Sequence, residues 1–209
     1  MNQGMTGTLY IVSAASGAGK TSLLRALMAH DPQLVISVSH TTRAPRPGEV
    51  DGHDYHFVDD AAFAALIDQG AFLEHAQVFD RRYGTTHAAV AADLEAGRDV
   101  LVEIDWQGAR QIREQWPDTV SIFILPPSRD ALEERLRARA QDSEAVIADR
   151  MDAAVSEMSH AGEYDYLVWN DDFETALEDL EAIVRARRLL AGRQFLRHAG
   201  ALEALVQGA

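Results

Sequence analysis

One stretch near the amino terminus specifies the architecture, and it reads Leu9-Tyr10-Ile11-Val12-Ser13-Ala14-Ala15-Ser16-Gly17-Ala18-Gly19-Lys20-Thr21. Its first five residues form a short apolar run bounded by small residues, which predicts a buried strand. Residues 22–30 follow with apolar side chains at helical spacing, which predicts a helix. A strand, a loop of small residues and a helix, in this order, are the setting that a phosphate-binding loop requires.

The loop fits the consensus G-x-x-x-x-G-K-[ST] except at its first position, where Ala14 replaces glycine. Gly17 and Gly19 allow backbone N–H groups to approach phosphate oxygens, and the start of the following helix adds partial positive charge. Lys20 can reach terminal phosphates, and the Thr21 hydroxyl can hold Mg²⁺ that is bound mainly through phosphates and water. The alternative is a turn of small residues without a ligand.

The cation composition also singles out this loop. Of the 19 Lys and Arg residues, 18 are arginine, and the one lysine is Lys20. A sequence that uses arginine everywhere else and lysine at this position indicates a specific chemical demand there.

Length and charge restrict the classes of function. The 209 residues suffice for one core with small inserted lobes, and the net charge of −14 argues against nucleic-acid binding. There is no cysteine, which excludes disulfides and thiolate metal sites. Residues 1–8 lack the features of a signal peptide, and no apolar run approaches the ~18–20 residues of a membrane span. We therefore expect a cytoplasmic protein that does not bind membranes.

A second chemically informative segment covers residues 39–58. It begins Ser39-His40-Thr41-Thr42-Arg43-Ala44-Pro45-Arg46-Pro47-Gly48-Glu49 and continues through Asp51-Gly52-His53-Asp54-Tyr55-His56-Phe57-Val58. Its prolines and glycines predict a loop after a strand at 34–39. Two arginines three residues apart on such a loop suit an anion clamp, although solvated loop charges would look the same. His53 and His56 are also three apart, but no cluster of further ligands is near in sequence, so we expect no zinc site.

This segment resembles the nucleotide-acceptor segment of guanylate kinases, and the resemblance extends over residues 9–190. Further matching motifs are Phe72-Leu73-Glu74-His75-Ala76, Tyr83-Gly84-Thr85, Glu103-Ile104-Asp105-Trp106-Gln107-Gly108, Leu125-Pro126-Pro127-Ser128, Arg135 with Arg139, and Trp169-Asn170-Asp171-Asp172. The resemblance implies ATP-dependent phosphorylation of GMP, and of dGMP, with Mg²⁺ as cofactor. It also implies an ATP site made of Ala14, Ala15, Ser16, Gly17, Ala18, Gly19, Lys20, Thr21 and Asn170.

The same resemblance assigns the GMP site. Its residues would be Ser39, Arg43, Arg46, Tyr55, Glu74, Tyr83, Thr85 and Asp105. Glu74 and Asp105 would face the guanine edge, whose N1–H and 2-amino donors adenine lacks. A carboxylate left unpaired against adenine would cost on the order of several kcal/mol, which gives discrimination.

The catalytic assignments are Lys20, Arg43, Arg135, Arg139 and Arg150. In the family pattern the last three belong to a mobile lid, whereas a solvated helix with i,i+4 ion pairs would explain the same charges. Ala140 stands where the family usually has glycine. An apolar strand predicted at 100–105 ends in the acids Glu103 and Asp105. Three roles stay open for Glu103: positioning the magnesium water shell, orienting an arginine, or a buried structural carboxylate.

The expected fold is α/β, a three-layer sandwich with a mostly parallel sheet, an inserted GMP-binding lobe and a helical lid. The core would comprise residues 8–37, 94–128 and 151–190, the GMP-binding lobe 38–93, the lid 129–150 and a helical tail 191–209. The tail fits a subunit contact in a homo-oligomer, a packed end or a frayed terminus. Two rival functions are a guanylate-kinase-like binding module without catalysis and a related kinase with another phosphorylated acceptor.

Overall fold

The structure is a computed structural model that describes residues 7–78, 80–138 and 144–207. Its strands are β1 (Leu9–Ala14), β2 (Leu34–Ile36), β3 (His40–Thr41), β4 (His56–Phe57), β5 (Phe72–Val78), β6 (Arg81–Thr86), β7 (Asp99–Glu103), β8 (Val120–Leu125) and β9 (Tyr166–Trp169). Its helices are α1 (Lys20–His30), α2 (Asp60–Asp68), α3 (His87–Glu95), α4 (Trp106–Gln115), α5 (Arg129–Ala138), α6 (Glu144–Ser159), α7 (Phe173–Arg188), α8 (Ala191–Arg197) and α9 (Ala199–Gln207). A short 3₁₀ turn covers Ala161–Glu163.

The central sheet is parallel and has the strand order β2-β7-β1-β8-β9. Tyr10 and Val12 of β1 face one side, where they pack in a cluster with residues of α1, α5, α6 and α7. Leu9 and Ile11 face the other side and pack with residues of α3 and α4. Since alternate residues of a strand point to opposite faces, a continuous apolar strand is buried on both sides. The predicted three-layer α/β sandwich is confirmed.

Side-chain caps fix where several helices begin. Asp59, Thr86, Asp105 and Asp172 each precede a helix and accept a hydrogen bond from a backbone N–H in its first turn. Helix α1 has no side-chain cap, and its N-cap residue Gly19 has a φ of 97°. The first N–H groups of α1 therefore face the loop without a protein side chain on them.

A second sheet has the order β4-β3-β6-β5 and lies in the part of the chain that we expected to form the acceptor lobe. Strands β5 and β6 form an antiparallel hairpin, whose register shifts between Phe72 and Glu74. The strand predicted at 34–39 ends at Ile36, although Ser37 still donates from its N–H to Leu101 O at 2.9 Å. The chain then leaves the parallel sheet, and His40 begins β3 of the second sheet.

The region expected to form the lid contains α5 and the first seven residues of α6. Helix α6 continues to Ser159, nine residues past the boundary that we placed at 150. Buried Leu132 and Leu136 of α5 lie in the same core cluster as Ile147 and Met151 of α6. Arg139, one of the predicted catalytic residues, and Ala140 at the expected hinge lie outside the described residues.

The tail forms α8 and α9, and neither helix contributes a buried residue. Leu196, Leu205 and Val206 are more than half exposed. Among the residues described, no helix combines the length and apolar character needed to cross a membrane.

Candidate active site

The phosphate loop between β1 and α1 is held open by two glycines. Gly17 and Gly19 have φ angles of 94° and 97°, a region that favours glycine. A Cβ at Gly19 would lie 2.3 Å from Asn170 Nδ2, and one at Gly17 would lie 2.9 Å from Leu132 Cδ1. Close packing against α5 and Asn170 therefore requires glycine at both positions.

A predicted ATP-site residue, Asn170, and a predicted catalytic residue, Arg135, contact the back of this loop. Asn170 is buried and donates from Nδ2 to Ala18 O at 2.6 Å. Arg135 of α5 donates from Nη2 to Asn170 O at 3.1 Å and from Nη1 to Ala18 O at 3.4 Å. These bonds use carbonyl groups of the loop and of the residue after β9, so neither side chain occupies a loop N–H group.

Lys20 and Thr21 share one carboxylate. Lys20 Nζ and Thr21 Oγ1 each lie 3.5 Å from Glu103 Oε1, at the carboxyl end of β7. The side chain of Glu103 is 31% exposed, so it is not a buried structural carboxylate. Glu103 lies beside the Thr21 hydroxyl and the Lys20 ammonium. Of its three possible roles, this position favours a contact with water bound to Mg²⁺.

Glu74 is the buried carboxylate of the site. It is 3% exposed, and burial raises its pKa to about 7, with the nearby Asp105 carboxylate adding to the rise and hydrogen bonds from Thr85 opposing it. Gly108 is packed against it, since a Cβ there would lie 2.6 Å from Glu74 Oε2. Asp105 uses Oδ1 to accept the Gly108 N–H at 2.9 Å, which leaves its Oδ2 for the cleft.

Helix α4 holds the strand that carries Glu74. Gln111 exchanges two hydrogen bonds with the backbone of His75, at 3.0 and 2.9 Å, and Gln115 donates to Leu73 O at 2.7 Å. Strand β5 is the edge of the second sheet, so its outer backbone groups are free to be satisfied by these amides. The glutamines thereby fix Glu74 relative to the parallel sheet.

Two hydroxyls lie next to Glu74, on the side of the cleft that we predicted to face the base. Ser39 Oγ and Thr85 Oγ1 lie 3.1 Å apart, and Thr85 is fully buried opposite Glu74 in the β5–β6 pairing. The predicted contacts to the guanine edge therefore come from neighbouring positions on β5, on β6 and before β3.

The predicted phosphate clamp is organised by Glu49. Its carboxylate accepts from Arg43 Nη2 at 2.8 Å and from the Arg46 N–H at 2.7 Å. Arg43 also lies over the ring of Tyr55, with 5.3 Å from Cζ to the ring centroid, and Tyr55 and Tyr83 have ring centroids 6.1 Å apart. Arg43 is thus held behind the tyrosines, whereas Arg46 reaches the cleft.

One cleft of about 490 Å³ brings most of these groups together. The predicted site residues that line it are Ala14, Ala15, Ser16, Gly17, Gly19, Lys20, Thr21, Ser39, Arg46, Tyr55, Glu74, Tyr83 and Asp105. Behind this lining lie Ala18, Arg43, Thr85, Arg135 and Asn170, each in contact with the loop or with a lining residue. Arg150 lies on α6 and is not among the lining residues.

Sequence reasoning assigned no role to four residues that shape this site: Glu49, Gln111, Gln115 and Glu157. Glu49 and the two glutamines had local signals, namely a place in the loop motif and an i,i+4 spacing on a helix. Glu157 Oε2 accepts the Ser16 N–H at 3.1 Å, across 141 positions of sequence, and no local pattern points to that contact.

Within the described ranges, no group of three or more His, Asp or Glu side chains could hold a metal ion. Thr21 and Glu103 supply one hydroxyl and one carboxylate on the phosphate loop's side of the cleft. Oxygen donors of this kind suit Mg²⁺, which usually completes its octahedron with water and substrate phosphates. The residues present therefore fit a magnesium ion that arrives with a nucleotide.

Comparison with known proteins agrees with this geometry. The family model described as guanylate kinase matches residues 6–187. The chain is 61% identical over 200 residues to a guanylate kinase of Alcanivorax borkumensis, covering 96% of this chain and 97% of that protein. It is 63% identical over 188 residues to one from Methylococcus capsulatus, covering 90% and 92%. The crystal structure of a guanylate kinase from Anaplasma phagocytophilum superposes with a TM-score of 0.74 at 34% identity, covering 90% of each chain. The chain belongs to the guanylate kinase family.

Proposed function

We propose that this protein transfers the terminal phosphoryl group of ATP to GMP, and to dGMP, forming ADP and GDP or dGDP. One observation carries the proposal: a single cleft holds both the Lys20 phosphate loop and the carboxylates of Glu74 and Asp105. A phosphate loop alone fits many nucleotide enzymes, and acceptor carboxylates alone fit many pockets. Their presence in one cleft places a phosphate-binding loop opposite acceptor groups for a base, as transfer between two nucleotides requires.

The base-facing side suits guanine. Glu74 and Asp105 present acceptor oxygens to the N1–H and 2-amino donors of guanine, and Ser39 and Thr85 supply hydroxyls for the rest of the base edge. Adenine offers no N1–H and no 2-amino group, so it would leave a buried acceptor unpaired. This mismatch supports GMP over AMP as the acceptor.

The acceptor phosphate is proposed to lie against Arg46, Tyr55 and Tyr83, with Arg43 as the charge behind the tyrosines. Phenols donate one hydrogen bond each from stiff rings, and guanidinium groups match phosphate oxygens. We propose that Arg43 exchanges part of its contact with Glu49 for the phosphate when GMP binds.

The ATP phosphates are proposed to lie on the loop 14–21, with Lys20 at the terminal phosphates. Thr21, together with Glu103, would hold Mg²⁺ through direct and water-mediated contacts, and a bound ion supplies charge neutralisation and orientation of the phosphates. Arg135, Arg139 and Arg150 of the proposed lid, residues 129–150, would add positive charge as the lid closes.

The reaction needs no general base in this protein. The attacking oxygen belongs to the GMP phosphate, which is already anionic near neutral pH, so the difficulty is to align two polyanions. Fixed positive groups on both sides of the cleft serve that purpose, and closure excludes water that would hydrolyse ATP. Since ATP and GMP are cytoplasmic metabolites, we also propose the cytoplasm as its place of action.

The test is a coupled assay of ADP release with ATP and magnesium against GMP, dGMP, AMP, CMP and UMP. We expect turnover with GMP and dGMP, little with the other three, and loss of activity when EDTA removes the metal. Activity on AMP above that on GMP would overturn the guanine assignment, and no turnover with any acceptor would favour the non-catalytic binding module.

A further inference from the structure

Glu157 has no part in the reaction proposed above, yet its carboxylate lies on the phosphate loop. Its Oε2 accepts the Ser16 N–H at 3.1 Å, and the side chain lines the same cleft as Lys20 and Asp105. Ser16 belongs to the loop 14–21, on which the ATP phosphates are proposed to lie. A carboxylate oxygen and a phosphate oxygen are alike as acceptors, so Glu157 satisfies a donor of the kind that ATP would use.

The charged groups that act on Glu157 belong to the proposed nucleotide site. Burial raises the pKa of Glu157, whereas the Ser16 N–H and the Lys20 ammonium lower it and the Asp105 carboxylate raises it further. The carboxylate therefore lies within electrostatic range of the cation proposed to bind the terminal phosphates.

The position of Glu157 is set by packing. Helix α6 buries Ile147, Met151 and Ala154 in the main core cluster, which also contains Leu132 and Leu136 of α5. Glu157 follows Ala154 by three residues and so extends the same side of the helix. Because the core holds α6 in place, the Glu157 carboxylate lies against the phosphate loop.

We propose that Glu157 is a positioning residue whose carboxylate competes with the phosphates of ATP for the phosphate loop and so sets the affinity for ATP. Its carboxylate satisfies the Ser16 N–H, which helps to hold the loop in place. When ATP binds, its phosphates compete with this carboxylate for the loop and for Lys20. The like charges of Glu157 and the phosphates oppose each other, so the resting contact weakens ATP binding.

The decisive variant is Glu157→Gln, which keeps the shape and an acceptor oxygen but removes the charge. We expect it to bind ATP with magnesium roughly three- to tenfold more tightly than the wild type, because a fixed like charge near the phosphates is gone. The affinity for GMP should stay within about twofold, since the acceptor lobe is unchanged. Titration calorimetry with ATP alone, without GMP, measures the first effect directly.

Two variants serve as controls. Glu157→Asp keeps the charge and should bind ATP as the wild type does, within about twofold. Asp152→Asn removes an exposed charge from the same helix and should also leave ATP affinity unchanged, so it corrects for the overall change of charge. If Glu157→Asp tightened ATP binding as much as Glu157→Gln does, the change in affinity would not follow the charge, and the inference would be wrong.

This inference rests on the proposed binding of ATP at the loop, and the titration separates the two. If the wild type binds ATP but Glu157→Gln binds it equally or more weakly, Glu157 is not a competing anion and the proposed function stands. If the wild type itself binds no ATP, the proposed function fails and this inference fails with it.

Discussion

Glu74 is the residue at which burial and function conflict most directly. A carboxylate that is 3% exposed is stabilised in its protonated form, and its pKa of about 7 reflects that burial. The proposed recognition of guanine needs the ionised form, because a carboxylate accepts hydrogen bonds from both guanine donors. In the free protein, burial therefore favours the protonated carboxyl, whereas hydrogen bonds from the proposed ligand would favour the ionised carboxylate.

We expect Glu74→Gln to stabilise the free protein at pH 8 by about 1–3 kcal/mol, and to give no gain at pH 4.5. The folded-state pKa lies above the ordinary 4.5, so stability falls as pH rises from 4.5 through about 7, where the unfolded chain has already lost its proton. Urea denaturation at both pH values measures the difference. A variant that is destabilised at pH 8 would show that the charge is compensated in the folded protein.

Lys20 is the residue on which the proposed chemistry depends most. We expect Lys20→Ala to lower kcat/KM by about 10²–10³-fold, because it removes a charge at the transferring phosphate. Stability should change by less than about 1 kcal/mol, since its partner Glu103 is partly exposed to water. Steady-state kinetics with a thermal unfolding control measures both, and a near-normal rate would remove Lys20 from the mechanism.

At the scale of elements, the site depends on how α4 meets β5. The cap Asp105, the close packing at Gly108 and the glutamine contacts all lie on this one helix. They bring the edge strand of the second sheet to the carboxyl ends of the parallel strands, where ligands bind in open α/β sheets. The helix is therefore both a core element and the support of the base-facing carboxylates.

We expect Gly108→Ala to raise KM for GMP about tenfold while leaving KM for ATP within about twofold. Alanine favours helix, but its Cβ would lie 2.6 Å from Glu74 Oε2 and would displace that carboxylate. The matched control is Gly192→Ala in α8, where an added Cβ meets nothing within 4 Å and should leave both constants unchanged. Equal KM for GMP in the two variants would show that Glu74 does not need its present position.

At the scale of the whole molecule, the cleft and the ion pairs of Arg188 lie at opposite ends of the parallel sheet. Glu103 ends β7 beside the phosphate loop, whereas Asp99 begins it at the other edge. Asp99 is buried and accepts from the Thr8 N–H and from Arg188 Nε, both at 2.6 Å. Arg188 also pairs with Asp31 after α1, so it links α7, β7 and α1.

We expect Arg188→Ala to lower the free energy of unfolding by about 3 kcal/mol, because it leaves a buried Asp99 charge unpaired. The kinetic constants of the folded protein should stay within about twofold, since this network is remote from the cleft. The exposed Arg185 on the same helix provides the control variant, Arg185→Ala, with a change below about 0.5 kcal/mol. Denaturant unfolding measures the stability of both variants, and activity assays measure their kinetic constants. An equal loss of stability in the two variants would contradict the prediction.

Several features could be predicted from the sequence because their signals are local. The predicted strand, glycine loop and helix around Lys20 occupy one short stretch, and the structure has β1 and α1 on either side of that loop. The acceptor segment was recognisable as an ordered motif. The strand predicted at 34–39 was too long, because the need to reach the second sheet ends it at Ile36. The roles of individual site residues stay predictions.

The sequence by itself determined the phosphate-loop motif and the α/β alternation, since each is encoded within a few neighbouring residues. Only the tertiary structure decided which charges meet. Glu157 reaches Ser16 across 141 positions, and Lys20 meets Glu103 because β1 and β7 are parallel neighbours that end at the same edge of the sheet. Contacts of that kind follow from strand order and helix packing, and side-chain periodicity carries no information about them.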